Sequence, residues 1–390
     1  MANLNNISLI KHNGSEIILA KLNGAIVYEK DKNQYYIEYT VDNTSTSSLD
    51  SYISPDNFGL PRIYSDESIY SFKYDKVEIT LLDGTITDDV TTTCDQISKV
   101  KLWYPENTIA VKFCFEFLDY NTPLVKQINY INTNNITNMI DMFLCNTSIT
   151  SINTSNWDTS KITNMRRMFG TCYSLTTLDL SGFDTSNVTD MNYMFADCES
   201  LTTVGNVSNW NTSKVTDMSY MFANCKSLTD LNVSNWNTNN VTSMAYMFQN
   251  CSSLANLDVS NWDTSSIANT SQMFRGCSNL TELDLSSWNT SNVTSMTSMF
   301  SDCTSLTSLN LSNFDLAKTS VTGRMNIFRD CTSLHTLRLD NCSNTTINRI
   351  IASSNFPKGE IANTQRVIYC KEANAADLTA PDGWRFEYID

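Results

Sequence analysis

Cysteine is the residue with chemical potential that recurs most regularly in this chain. Eight of its twelve cysteines are separated by 26 to 28 residues, namely Cys145, Cys172, Cys198, Cys225, Cys251, Cys277, Cys303 and Cys331. Nucleophilic catalysis by a thiol or hydroxyl normally requires a histidine beside it. The chain has only two histidines, His12 and His335, and nothing in the sequence places either beside a nucleophile. We therefore predict no catalytic residue and expect a protein that is not an enzyme.

The regular phase of the cysteines also argues against a disulfide framework, whose cysteines rarely recur in this way. Cysteine is among the most buried residue types and packs as a small apolar side chain. We predict that the repeat cysteines are reduced and buried. Any disulfide would more readily involve the four cysteines outside the pattern, whose pairing stays open: Cys94, Cys114, Cys342 and Cys370.

Carboxylates recur as well, and they allow two interpretations. Examples are Asp179, Asp230, Asp258, Glu282 and Asp284. They either line the solvent-facing side of successive strands, which we favour, or form a ladder of calcium ligands. The chain contains no phosphate-binding glycine loop, no Cys-x-x-Cys and no His-Glu-x-x-His. We predict no metal and no cofactor.

Charge and hydropathy exclude other classes of partner. The formal net charge is −15, so nucleic-acid binding is not expected. No apolar stretch is long enough to span a bilayer, and we expect no membrane insertion. The first residues lack the basic and apolar regions of a secretory signal, which predicts a cytosolic protein or another route of release, such as phage-induced lysis.

Each recurring cysteine ends the same phrase, which in one copy reads VTDMSYMFANCKSLTDL over Val215–Leu231. A fixed period in this range predicts a solenoid of stacked repeats, with long surfaces instead of an enclosed pocket. Within a repeat, one set of apolar residues has i, i+3, i+4 and i+7 spacing: Met191, Met194, Phe195 and Cys198. This spacing predicts a helix of about two turns. Thr189 and Asp190 would cap its start.

The second half of each repeat predicts a short strand. Leu178 and Leu180 alternate with polar residues, so one strand face should be buried. An aromatic follows in each repeat: Trp157, Phe183, Trp210, Trp236, Trp262, Trp288 and Phe314. We predict that the cysteines and aromatics form interior ladders, represented by Cys172, Cys198, Cys225, Cys251, Cys277, Cys303, Trp210, Trp236, Trp262 and Trp288. The expected fold is an α/β solenoid with a short strand and a short helix per coil.

The outward residues of these strands form the candidate binding face. They are Thr177, Asp179, Asp230, Asn232, Asn256, Asp258, Glu282, Asp284, Ser308, Asn310, Thr336 and Arg338. The equivalent face is the usual docking surface of solenoid proteins. It contains no aromatic anchor, although aromatics and arginine usually contribute most of the binding energy of an interface. Whether a partner binds here is left open by the sequence.

The repeat phrase carries a family resemblance. Its consensus is Leu-Asp-Leu-Ser-x-(Trp/Phe)-(Asp/Asn)-Thr-Ser-x-Val-Thr-x-Met-x-x-Met-Phe-x-x-Cys-x-Ser-Leu. This phrase resembles the BspA-like leucine-rich repeat surface proteins over residues 123–345. The resemblance implies a leucine-rich-repeat-like fold and a role in adhesion and surface display, in bacteria and in gut phages.

Four regions are expected. Residues 1–30 contain Asn13-Gly14 and Asn23-Gly24 between apolar runs, which predicts a β-meander. Residues 31–122 predict a β-rich domain that caps the first coil, or else further degenerate coils. Residues 123–345 form the repeat solenoid. Residues 346–390 predict a cap of strand, helix and strand, with the helix over Lys371–Leu378.

The segment around Asn13-Gly14 also resembles N-terminal modules of phage structural and tail-associated proteins. This resemblance implies a non-enzymatic virion protein. It would be anchored to other virion proteins by its N-terminus and would display its repeats to a bacterial surface protein or glycan as a homo-oligomer, possibly a trimer. The alternative is a bacterial BspA-like adhesin at the cell surface. A hydrolase with its site in residues 31–122 is a minor alternative.

Overall fold

Short strands and turns make up most of the fold. The computed structural model describes residues 127–358, 365–375 and 377–389, together with the backbone of the strands between residues 7 and 126. Within these residues, the helical elements are α1 (Asn344–Ile351) and single 3-10 turns at Thr322–Arg324 and Glu372–Asn374. The described part of the chain is therefore mostly strand and loop, with few helices.

The N-terminal strands form the meander predicted from the two Asn-Gly turns. Strands β1 (Ile7–His12), β2 (Ser15–Leu22) and β3 (Ala25–Asp31) pair antiparallel in that order. Asn-Gly between apolar runs favours tight hairpin turns, which bring adjacent strands into such a sheet.

A six-stranded sheet joins the N-terminal region to the repeats. Its strands are β4 (Tyr36–Val41), β6 (Lys76–Leu81), β7 (Ile86–Thr87), β8 (Ile97–Trp103), β10 (Val125–Ile131) and β11 (Ser151–Ile152), in the order β11-β10-β4-β8-β6-β7. Two further strands, β5 (Arg62–Tyr64) and β9 (Ala110–Lys112), pair antiparallel in a separate sheet. All pairs are antiparallel except that of β10 with β11. The sheet thus changes from antiparallel to parallel where the repeats begin.

Successive repeats pair in parallel register at two places per repeat. One series of backbone bridges runs Ser151, Thr177, Thr203 and Asp230, and the other runs Asn138, Asn164, Asp190, Asp217, Ser243, Asn269 and Ser295. Parallel pairing between residues about one repeat apart means that each repeat lies against the next. Equivalent side chains therefore fall on one another.

The predicted helix of each repeat is wrong. In residues 191–198, Tyr193 and Asp197 have φ angles of 57° and 63°, in the left-handed region that interrupts an α-helix. An α-helix also uses its N–H groups internally. Here alternate N–H groups donate to the next repeat, as from Tyr193 to the Ser219 carbonyl at 3.0 Å. Asp190 caps no helix, because its Oδ1 accepts the Asn192 N–H in a local turn.

The residues predicted to form the interior ladders lie inside the repeats. The repeat cysteines from Cys172 to Cys331 and the aromatics from Trp157 to Phe314 are buried. The phenylalanines of the repeat phrase stack one on another, for example Phe195 on Phe222 with ring centroids 5.1 Å apart. Consecutive β-turns direct Met191, Met194, Phe195 and Cys198 inward as effectively as a helix would.

The parallel ladder continues beyond the last repeat. Strands β12 (Glu282–Asp284), β13 (Ser308–Asn310), β14 (Thr336–Arg338), β15 (Arg366–Cys370) and β16 (Trp384–Tyr388) form one parallel sheet in that order. The two strands predicted for the cap are present. Its predicted helix over Lys371–Leu378 is wrong, because among the residues described there Glu372–Asn374 form a 3-10 turn and the others lie in no helix. The helix lies earlier, at α1, where the Ser343 hydroxyl accepts the Thr346 N–H as an N-cap.

Candidate binding surfaces

The strand face lies where the sequence placed it. Thr177, Asp179, Asp230, Asn232, Asn256, Asp258, Glu282 and Asp284 are exposed, and Ser308, Asn310, Thr336 and Arg338 are partly exposed. Between them, Leu178, Leu231, Leu283, Leu309 and Leu337 are buried. Exposed and buried side chains thus alternate along these strands, although Leu257 is only partly buried. Binding by this face stays a prediction.

Several side chains of the strand face have a structural role. Asp258 Oδ1 accepts the N–H and the hydroxyl of Ser260 at 3.0 and 2.7 Å, which closes the corner after the strand. Asp179 holds Ser181 in the same way. Bonds from the serine hydroxyl, and then from its N–H, lower the pKa of both carboxyl groups. One oxygen of each carboxylate is therefore already used in hydrogen bonds within the chain.

One open depression lies on the strand face. It has a volume of about 480 Å³ and its polar lining includes Asp258, Glu282, Asp284, Asn310 and Arg338. Arg338 already pairs with Asp340 at 2.5 Å and lies 5.4 Å from the ring centre of Tyr369. The depression thus has an acidic side and a cationic end whose charge is shared with its own neighbours.

A second surface, missed by the sequence analysis, is a column of three tyrosines. Tyr193, Tyr220 and Tyr246 are half-buried and stack face to face, with ring centroids 4.2 and 4.3 Å apart. Their φ angles are 57°, 59° and 63°, a conformation unfavourable for a bulky side chain. Burial, followed by the neighbouring tyrosines, raises the pKa of the Tyr220 hydroxyl. We call these residues the tyrosine column.

Polar side chains border the tyrosine column. Gln272 Nε2 donates to the Tyr246 hydroxyl at 2.8 Å. Four residues further along each repeat, Asn224 Nδ2 donates to Asp197 Oδ1 and Asn250 Nδ2 to Asn224 Oδ1, at 2.6 and 2.7 Å. The rings are thus fixed in place beside a bonded row of amide and carboxylate groups.

The sequence did contain the signal for this column. Three consecutive repeats read Met-Asn-Tyr-Met, Met-Ser-Tyr-Met and Met-Ala-Tyr-Met, with the tyrosines 27 and 26 residues apart. Because the spacing of the methionines predicts a helix here, the tyrosines were not identified as a stacked column.

The buried environment of the interior cysteines disfavours their thiolate form. Cys172 to Cys331, and also Cys342 and Cys370, are buried, while Cys145 is partly exposed. Burial raises the pKa of Cys198 and Cys251 to about 12. A thiol that stays protonated is a poor nucleophile. Cys94 and Cys114 lie outside the described residues.

The described residues give little support for a metal site, for a histidine beside a nucleophile or for a membrane-spanning helix. No group of three or more His, Cys, Asp and Glu side chains among those residues could hold a metal ion. His335 Nδ1 contacts the hydroxyl of Thr336, at 3.0 Å. No helix in the described segments has the length and apolar character required to cross a membrane. His12 and any site within residues 31–122 lie outside the side chains that are described.

Comparison with protein families identifies the repeats. A family model described as "Mycoplasma protein of unknown function, DUF285" matches residues 90–203, 176–256 and 252–359, which together cover more than half of the chain. The chain belongs to the DUF285 family. The match includes the whole repeat region. It leaves the segment around Asn13-Gly14, with its resemblance to phage proteins, without a counterpart.

No curated protein matches this DUF285 chain. Among solved structures, one similar chain is a leucine-rich cell surface protein from Faecalibacterium prausnitzii A2-165, whose crystal structure was determined at 1.80 Å. The two are 15% identical, over 70% of this chain and 95% of that one, with a TM-score of 0.19. That score is too low to equate the two folds.

Proposed function

We propose that this DUF285 protein is a non-enzymatic adhesin of the bacterial cell surface that holds a partner protein on a leucine-rich-repeat-like solenoid. The DUF285 match covers the repeats and leaves the segment that resembles phage proteins without a counterpart, which supports the bacterial cell surface over the phage particle. Because the interior of each repeat is filled by Met, Phe, Cys and Trp side chains, the outward columns are what the repeats offer to other molecules.

The tyrosine column carries the proposal. Tyrosine is enriched among the residues that contribute most to interface energies, and a ring has few torsions to immobilise on binding. In Tyr193, Tyr220 and Tyr246 the rings already stack, so little further ordering is required. Protein interfaces combine such a centre with a polar rim. Asp197, Asn224 and Asn250 provide that rim.

The proposal can be tested by attaching the purified chain to beads and measuring how many target cells adhere to them. Replacing Tyr193, Tyr220 and Tyr246 together by Asn should abolish adhesion, and Asn is tolerated because Asn326 occupies the same column with a φ of 57°. A matched control replaces Asp230 and Asp258 of the strand face by Asn and should adhere normally. Circular dichroism would confirm that both variants fold.

Treatment of the target cells identifies the partner class. Adhesion lost after protease treatment supports a protein partner, whereas loss only after periodate oxidation of glycans contradicts it. Unchanged adhesion of the tyrosine variant, with loss on substitution of Arg338 by Ala, would transfer the role to the strand face. Failure to detect the protein on intact cells with antibodies would contradict the surface role.

A further inference from the structure

We propose that the chain forms a two-fold dimer in which β16 pairs antiparallel with β16 of a second copy. Among the strands that the structure describes, β16 is the last of the C-terminal parallel sheet and is paired with β15 alone. The N–H and C=O groups on the other side of an edge strand are a template for another strand. This inference is independent of the adhesive role.

The backbone of β16 leaves the required groups available. The Ile389 N–H donates to the Cys370 carbonyl on β15 at 3.0 Å. Because backbone groups in a strand alternate sides, Glu387 and Arg385 also direct theirs to β15. Phe386 and Tyr388 therefore direct their N–H and C=O groups away from the sheet. An antiparallel partner centred on Phe386 would exchange hydrogen bonds with these groups.

The charges of β16 are self-complementary in that register. In Trp384-Arg385-Phe386-Glu387-Tyr388, a two-fold axis at Phe386 places Arg385 opposite the partner's Glu387 and Glu387 opposite the partner's Arg385. Opposite charges across a strand pair are stabilising, and like charges are destabilising. A parallel partner in register would place arginine beside arginine. The sequence therefore favours the closed antiparallel arrangement over open-ended addition.

These charges also differ from the common protection of an edge strand. Edges are usually guarded by residues of one charge, lysine above all, which repel a second copy. Here Arg385 and Glu387 neutralise each other at 2.9 Å within one chain, and both are more than 40% exposed. They can exchange partners in a dimer without loss of pairing.

An exposed aromatic side chain lies on the opposite face of β16. Tyr388 is 49% exposed and stacks on Phe386 with centroids 6.4 Å apart, while Trp384 is buried. In the proposed register Tyr388 lies opposite the partner's Trp384. Cross-strand aromatic pairs stabilise a sheet, so dimer formation would cover the Tyr388 ring. Because each copy uses its outer β16 edge in this pairing, the assembly is a dimer and not the trimer that the sequence analysis considered.

The register can be tested by disulfide trapping in the full-length chain. In Phe386→Cys, the two thiols would lie on the two-fold axis with Cα atoms about 5.5 Å apart, within the range of a disulfide. In the control Tyr388→Cys, the two thiols would be roughly 14 Å apart along the strands. Mild oxidation should cross-link the first variant and not the second. Equal cross-linking of both, or of neither, would overturn the proposal.

Charge reversal gives a second test, read by sedimentation over a concentration series. Arg385→Glu and Glu387→Arg should each weaken the dimer by about tenfold, because each places like charges across both halves of the interface. The double variant should restore wild-type association. Glu199→Arg, which disrupts the distant Lys226–Glu199 pair, is the matched control and should leave the dimer unchanged. A wild-type chain that is monomeric or trimeric throughout would overturn the proposal.

Discussion

The Sγ atom of Cys225 lies 3.2 Å from the carbonyl oxygen of Phe195, one repeat earlier in the chain. The same thiol-to-carbonyl contact joins every repeat cysteine from Cys172 to Cys331 to a phenylalanine of the preceding repeats, at 2.9 to 3.2 Å. Each cysteine thus packs as an apolar residue and also donates a weak hydrogen bond. The contact therefore recurs once per repeat, with the period of the cysteines.

We expect the repeat thiols to resist alkylation in the native protein. Burial holds Cys198 and Cys251 at a pKa of about 12, against the ordinary value of 9.0. Since the thiolate is the reactive form, iodoacetamide at pH 8 should modify them roughly a thousandfold more slowly than in urea. Mass spectrometry of the labelled chain would measure this. Cys145, which is partly exposed, is the internal control and should react first. Equal rates in native and urea-unfolded protein would contradict the buried ladder.

Stability should fall in alkali for the same reason. An unfolded thiol loses its proton near pH 9, whereas native Cys251 retains its proton up to a pKa of about 12. Between these values the native state binds more protons, so the free energy of unfolding decreases as pH rises. Urea titrations from pH 8 to 11 would show this slope. Cys251→Ser, which lacks one thiol, should have a shallower slope, and an identical slope would refute the assignment.

The sequence predicted which residues are buried better than it predicted the backbone that buries them. Leu178 and Leu180 are inward because a strand alternates, and the Cys and Trp ladders are inward because equivalent positions stack. The i, i+3, i+4, i+7 spacing of Met191 to Cys198 fits a helix, but it fits successive turns equally well. The left-handed backbone at Tyr193 and Asp197 decides in favour of turns. Of these two residue types, Asp commonly adopts that conformation and Tyr does not.

Features outside the repeat period were harder to predict. Helix α1 was not predicted, because it begins at an Asn-Thr-Thr sequence of low helix propensity. The tyrosine column does follow the repeat period, but the stacking of its rings depends on contacts between repeats, which the sequence of one repeat does not show. The outward direction of the strand-face residues follows from alternation alone, and these residues are exposed or partly exposed.

The tryptophan ladder offers a test of one hydrogen bond. Trp236 Nε1 donates to the Val207 carbonyl at 2.9 Å, whereas the buried Trp157 Nε1 has no hydrogen-bond partner among the described residues. Replacing either by Phe removes similar volume, so the difference reports the bond. We expect Trp236→Phe to cost about 1 kcal/mol more than Trp157→Phe in the free energy of unfolding. Urea denaturation of both variants measures this, and equal costs would contradict it.

Two glycines make a matched pair for backbone crowding. A Cβ at Gly323 would lie 2.4 Å from the carbonyl oxygen of Thr294, a backbone atom of the preceding repeat, whereas a Cβ at Gly182 would meet nothing within 4 Å. Gly323→Ala should therefore destabilise by about 2 kcal/mol or more, because the repeats must separate. Gly182→Ala should be neutral or slightly stabilising, since it reduces the entropy of the unfolded chain. Thermal melts would show the contrast, and a neutral Gly323→Ala would mean that the repeats are less closely packed.

The corner after each strand predicts how acid weakens the fold. Asp258 accepts two hydrogen bonds from Ser260, and Asn232 and Asn310 hold the serines of their own corners in the same way. At pH 7, Asp258→Asn should therefore cost little, whereas Asp258→Ala should cost about 1 kcal/mol because the corner loses its acceptor. The pKa of Asp258 is lowered in the native state, so its contribution is present above the ordinary value of 3.8 and is lost as pH falls through the native pKa. Between pH 7 and pH 3, urea titrations should show a smaller loss of stability in Asp258→Asn than in the wild type. An equal acid loss in both would show that this carboxylate does not contribute to the stability of the corner.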